Sequence, residues 1–173
     1  PESAVLALSR AARYGEWLRR EPGSAPDLRD IAPARARTVV AECESGWLAP
    51  DQVRDLLAAY GLRVPRMEVV RDPAQLMDAA ARVGYPLALK LLSKQVVHKT
   101  DVGAVFLNLS GPDALRQALD TMAANLARHN LSAEQEGFVL QEMVAGGVEM
   151  YVGMTQAPGF GALLAFGSGG TGV

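Results

Sequence analysis

Lys90 lies inside the apolar run Tyr85-Pro86-Leu87-Ala88-Leu89-Lys90-Leu91, and His98-Lys99-Thr100-Asp101-Val102-Gly103 follows a few residues later. An ammonium group in an apolar strand must find a partner or reach solvent, because burying an unpaired charge is very costly. Phosphate oxygens are a natural partner. The loop supplies an imidazole, a second ammonium, a hydroxyl, a carboxylate and a glycine, then runs into the strand-like Ala104-Val105-Phe106-Leu107-Asn108-Leu109. A strand lysine, a polar loop and a returning strand suit a cover over the phosphates of a nucleotide. By composition alone, a loop histidine also fits a solvated surface.

Two carboxylates further along carry the next signal. Alternation in Gly137-Phe138-Val139-Leu140-Gln141-Glu142-Met143 puts Phe138, Leu140 and Glu142 on one face, so Glu142 ends a buried row. Glu149 interrupts Val148-Glu149-Met150-Tyr151-Val152, whose Val148, Met150 and Val152 are expected to face the core. On adjacent strands, the two carboxylates would accept hydrogen bonds from ribose hydroxyls. The open backbone from Gln141 to Ala145 would read an adenine edge. The competing reading is a pair of edge-strand charges facing water, which protect against aggregation.

The elements that must hold these groups follow from the apolar spacing. Helices are expected over 3–20, from Ala34 to Ser45, and from Asp51 to Tyr60 with Gly61 as its stop. A strand Met67 to Val70 leads to Asp72-Pro73, an N-cap and first-turn proline opening a helix to Gly84. Strands 87–92 and 104–109 precede a long helix that Ser110-Gly111-Pro112-Asp113 starts and that ends near Asn130, with Leu115, Leu119, Met122 and Leu126 as its stripe. Three short strands close the chain: Gly137 to Met143, Val148 to Met154 and Gly161 to Phe166. The first two are separated by the hairpin-type Ala145-Gly146-Gly147.

Composition narrows the class. The chain has 173 residues, 49% of them apolar, and a net charge of −2, with 17 basic and 19 acidic side chains interspersed. That balance gives no electrostatic footprint for nucleic acid or an anionic membrane. The single cysteine, Cys43, excludes an internal disulfide framework and fits a reducing compartment. No apolar run approaches the ~18 residues of a membrane span, and no signal-peptide pattern appears, so the expected compartment is the cytoplasm. Six of the 17 glycines lie between Gly159 and Gly172 among strongly apolar neighbours. This is expected to be a tight-turn or ligand-approach segment, with a flexible linker as the alternative. A start at Pro1 and a glycine-rich finish suggest a piece of a longer protein.

Together, Gly84-Tyr85-Pro86-Leu87-Ala88-Leu89-Lys90, His98-Lys99-Thr100-Asp101-Val102-Gly103-Ala104-Val105, Gln141-Glu142-Met143-Val144 and Gly147-Val148-Glu149-Met150-Tyr151-Val152-Gly153 resemble the ATP-grasp domain of nucleoside-diphosphate-forming acyl-CoA synthetases. These are the ADP-forming acetate–CoA ligases, related to the β subunit of succinyl-CoA synthetase. The resemblance covers about residues 36–173, in order along the chain. It implies an α/β (α+β) ATP-grasp fold with a nucleotide cleft between two lobes. Residues 1–35 would be a helix and linker from an upstream CoA-ligase domain, 36–136 the first helices and first lobe, and 137–173 the start of an incomplete second lobe.

The resemblance also implies roles. Lys90 would hold the α- and β-phosphates, and the loop with Lys99, Asp101 and Gly103 would cover the phosphate tail. Gln141, Glu142, Met143 and Val144 would take the adenosine, and Glu149 the ribose or neighbouring groups. Gly169 and Gly170 would approach the phosphates. His98 would be catalytic, passing a phosphoryl group between ATP or ADP and a second phosphohistidine on the CoA-ligase part. The cofactors implied are ATP or ADP and Mg²⁺, with the Mg²⁺ ligands beyond Val173 and CoA on another domain. The implied partners are CoA-ligase domains, in an oligomeric full-length protein. Ala104 stands where the family has a glycine. Bacterial protein lysine acetyltransferases carry a very similar assembly, so a regulatory, ligand-sensing module is the alternative.

Overall fold

The computed structural model describes residues 2–21, 23–24, 26–43, 46–96, 99–132 and 135–170. Three helices come first: α1 (Glu2–Leu18), α2 (Pro33–Ala41) and α3 (Pro50–Ala59). Proline opens both α2 and α3, where its missing N–H costs nothing and its fixed φ already suits a helix. The Gln52 side chain reaches back to accept the Ala49 N–H at 2.9 Å. α2 ends at Ala41, short of the expected Ser45. α1 buries no residue, and Val5, Leu8, Trp17 and Leu18 are exposed along it.

Four strands then build one antiparallel sheet: β1 (Met67–Val70), β2 (Leu87–Leu92), β3 (Val105–Leu109) and β4 (Gly137–Glu142), in the order β1-β4-β2-β3. Asp72 accepts the Ala74 N–H at 3.0 Å as expected of a cap, but it opens a short 3₁₀ turn, Pro73–Gln75, before α4 (Leu76–Val83) begins. α5 (Pro112–Arg128) carries the expected stripe, with Leu115, Met122 and Leu126 buried and Leu119 packed beside them. α4 and α5 cover one face of the sheet, where Leu87, Leu89, Leu91, Phe138 and Leu140 meet Leu76, Val83, Leu115 and Met122. Side chains alternate along β2, so Ala88, Lys90 and Leu92 point to the opposite face.

At the edge of the sheet, Arg82 of α4 grips Glu68 of β1 through two bonds of 2.8 and 2.6 Å, and this guanidinium holds the Glu68 carboxyl below its ordinary range. The stability this pair contributes is present above pH 4.5, the ordinary carboxyl value, and is lost as pH falls through the lowered folded value. Urea denaturation of Glu68→Gln beside the native chain should therefore show a stability gap at neutral pH that narrows steadily in acid.

The last two strands depart from expectation. β5 (Met150–Ala157) and β6 (Gly161–Ser168) pair with each other along their whole length, from Met150↔Ser168 to Ala157↔Gly161. The expected hairpin between the Gly137 and Val148 strands does not form. Both edges of β4 are already occupied, by β1 and by β2, so no ladder position remains for β5. Hydrogen bonding therefore carries the first sheet through Glu142. Val148, Met150 and Val152 are exposed rather than facing a core, and Glu149 precedes the strand instead of interrupting it. Among the described residues, no helix is long and apolar enough to cross a membrane.

Candidate functional site

Lys90 occupies the middle of β2, opposite Val139 on one side and Val105 on the other. Gln141 lies one pair along the same face, opposite Ala88, and its Oε1 accepts from Lys90 Nζ at 2.6 Å. Burial pushes the Lys90 pKa down from its ordinary value, and the positive charge of Lys99 lowers it further. A half-buried ammonium thus has an uncharged amide as a hydrogen-bond partner and feels the like charge of Lys99. An anion placed at Lys90 would supply the missing charge.

The turn that carries Lys99 is tied to the same sheet. Ala104 N donates to Lys99 O at 2.8 Å, Gly103 N donates to Thr100 O at 3.0 Å, and Leu91 N donates to Ala104 O at 3.0 Å. Asp101 is exposed on this turn, and Gly103 is half-buried. The other root of the loop is pinned as well, because Ser93 Oγ accepts from Gln95 N and Val96 N at 3.2 and 3.1 Å. Glu136 accepts from Lys94 N at 3.2 Å. His98 lies outside the described residues.

Glu142 ends the central strand β4, so it is not a free edge-strand charge. Its carboxylate accepts from Arg66 Nε in a salt bridge, and its own N–H donates to Arg66 O at 2.9 Å. Met143 N donates to Pro86 O at 3.1 Å, which leaves the exposed Val144 as the outermost backbone of the segment expected to read a purine. Glu149, Gly169 and Gly170 form a separate group at the open end of the β5–β6 pair. Gly169 N donates to Glu149 O at 2.8 Å, and a Cβ on Gly170 would lie 3.1 Å from Glu149 Oε2.

Glu142 and Glu149 are consequently not on adjacent strands. Lys90 and Gln141 meet on one face of the sheet, alternation puts Glu142 on the opposite face with Leu140, and Glu149 lies against the two glycines beside the β5–β6 pair. Arg66 went unseen in the sequence; only the β1–β4 register, with Met67 opposite Gln141, brings it to Glu142. Two surface grooves, of about 270 Å³ beside Arg66 and Arg82 and about 300 Å³ between α2 and α3, do not include Lys90 in their walls. Among the described residues, no three His, Cys, Asp or Glu side chains gather as metal ligands.

A family profile described as an ATP-grasp domain matches residues 39–173. The chain belongs to the ATP-grasp family. This ATP-grasp chain is 31% identical over 172 residues to the ADP-forming 4-hydroxybutyrate–CoA ligase of Nitrosopumilus maritimus, a match covering 98% of this chain and 24% of that protein. It is 32% identical over 139 residues to the β subunit of ADP-forming acetate–CoA ligase I of Pyrococcus furiosus, covering 79% and 60%. Among solved structures, it is similar to a dinucleotide-forming acetyl-coenzyme A synthetase of Candidatus Korarchaeum cryptofilum in complex with coenzyme A and Ca-AMPCP. That likeness has 33% identity and a TM-score of 0.63, over 69% of this chain and 52% of that one.

A second structure of that synthetase holds coenzyme A and Mg-AMPPCP, with its phosphohistidine segment pointing towards the nucleotide binding site. It is 28% identical with a TM-score of 0.61, over 79% and 58% of the two chains. The ATP-grasp chain spans less than two thirds of the length of each of these relatives. Their similarity agrees with the mixed helix-and-sheet ATP-grasp fold expected from the sequence, and the acetyltransferase reading finds no support among them.

Proposed function

We propose that this ATP-grasp module binds ATP or ADP for an ADP-forming acyl-CoA synthetase of the acetate–CoA ligase type. The observation that carries this reading is the half-buried Lys90, whose Nζ donates to the Gln141 amide oxygen and whose charge is opposed by that of Lys99. Lys90, Lys99, Asp101 and Gly103 would take the phosphates, with Gly169 and Gly170 approaching them. Gln141 to Val144 would take the adenine side, and Glu149 the ribose. The arrangement suits positioning and charge stabilisation, which is most of what phosphoryl transfer asks of a protein.

His98 is the proposed acceptor. A ring nitrogen of its neutral imidazole bonds to the γ-phosphorus as the bond to the bridging oxygen breaks, ADP leaves, and the same steps reversed regenerate ATP. Mg²⁺, when bound, would offset phosphate charge, and its ligands are expected beyond Val173. The partner is a CoA-ligase domain, reached through residues 1–35, in an oligomeric cytoplasmic enzyme. Matches to acyl-CoA ligases over 98% and 79% of this chain, and the nucleotide analogues held by the similar solved structures, support this assignment.

Incubation of the intact protein with γ-labelled ATP tests it. An acid-labile, base-stable phosphoenzyme should form, and His98→Ala should abolish both the label and acyl-CoA synthesis. Full labelling of that variant would remove His98 from the relay.

A further inference from the structure

We infer that Asn125 of α5 is a positioning residue that sets the C-terminal root of the phosphate loop. This inference rests on the proposed nucleotide site. Asn125 Nδ2 donates to Gly103 O at 3.0 Å across 22 residues of chain. Its Oδ1 accepts from Arg128 Nη1 at 3.3 Å. A guanidinium only donates, so this contact orients the amide oxygen toward Arg128 and turns the NH₂ group to Gly103.

The helix beneath is well anchored. Asn125 stands between the buried Met122 and Leu126, so its backbone is held by the packed stripe while its side chain leans over the margin of that stripe. Gly103 is built to receive it. Its φ is +64°, and a Cβ there would sit 2.5 Å from Asn125 Nδ2 and 3.2 Å from Asn125 Cγ. The absent side chain at position 103 and the amide at position 125 occupy one another's space. The close approach that the hydrogen bond needs is open because position 103 carries no side chain.

From Gly103 the constraint passes directly to the cationic position. The adjoining Ala104 bonds to Lys99 through its N–H and to Leu91, next to Lys90, through its carbonyl. Asn125 therefore fixes where Lys99 stands relative to Lys90 without touching the nucleotide. Loss of this brace should harm orientation more than ground-state binding, because Lys90 remains on a rigid strand.

The test is steady-state kinetics of ATP formation from acyl-CoA, ADP and phosphate by the intact protein. Asn125→Asp keeps the shape but replaces the donor with a carboxylate facing the Gly103 carbonyl. It should lower kcat by about 100-fold, the scale of a roughly 1 Å misplacement, with KM for ADP changed less than about threefold. Asn125→Gln, which retains the donor, should recover part of kcat. Gly103→Ala should be severely impaired, and combining it with Asn125→Ala should give a smaller loss than the two separate effects multiplied, since the overlap is then relieved.

Unchanged kcat in Asn125→Asp would overturn the inference. So would a loss in proportion to lowered thermal stability, or strictly multiplicative effects in the double variant. Lys90→Met separates the two levels. Normal ADP binding by that variant refutes the nucleotide site itself, whereas a loss there with native behaviour at Asn125 refutes the positioning role alone.

Discussion

Lys90→Met is expected to weaken ATP binding by about 10–100-fold, the equivalent of a lost hydrogen bond to a charged group, while the melting temperature holds or rises. The two effects have opposite signs for one reason. Burial disfavours the Lys90 ammonium in the nucleotide-free protein, and Lys99 adds repulsion, so the charge opposes folding until an anion arrives. Methionine fills similar space without that cost. Calorimetric titration and thermal melting of the same preparations would measure both quantities. Native affinity in the variant, or a marked fall in its melting temperature, would contradict this account.

The pH dependence follows from the same shift. A folded-state pKa below the ordinary lysine value of 10.5 means that the unfolded chain holds this proton more tightly. The stability contributed at this position therefore rises with pH in the window just below 10.5, and any advantage of Lys90→Met over the native chain should shrink through that window. Nucleotide affinity should run the other way. It should begin to fall at a lower alkaline pH than an unperturbed lysine would give, because the neutral amine cannot hold phosphate.

Gly137→Ala should destabilise the fold by about 2–4 kcal/mol, the range for strain at a special backbone position combined with a steric conflict. Gly137 begins the central strand with φ +146°. A Cβ there would overlap the carbonyl oxygen of Val70 and sit 3.0 Å from Arg71 Cα. Both are backbone atoms, so no flexible side chain can swing aside. The damage falls where β4 locks to β1, in the strand that carries Gln141 and Glu142. Gly153→Ala provides the contrast: its added methyl meets nothing within 4 Å, and its effect should stay within about 0.5 kcal/mol. Urea denaturation followed by circular dichroism reads both variants, and equal losses would show that backbone overlap at Gly137 is not the cause.

Much of the chain was legible because its signals are short-range. The α5 stripe repeats with helical period, Asp72-Pro73 marks the turn that leads into α4, and an apolar run with one lysine reads as β2. The misreadings arose where pairing is long-range. Ala145-Gly146-Gly147 has turn chemistry, yet β4 had already paired on both sides, and β5 joined β6 instead. Glu142 was legible as a carboxylate at a strand end, but Arg66, which holds it, is 76 residues away. Asn125 gave no signal beyond being a polar residue at the margin of an apolar stripe.

By itself, the order of residue types determined that a lysine would stand within an apolar strand and that a glycine-containing polar turn would return to it, because backbone preference and apolar period act over a few residues. Only the tertiary structure decided that Gln141 would meet that lysine, that Arg66 would engage Glu142, and that Asn125 would fill the space beside Gly103. Those contacts depend on which strands adjoin and in what register. Strand order emerges from burial of the whole sheet face against α4 and α5, a condition that no local stretch of sequence contains.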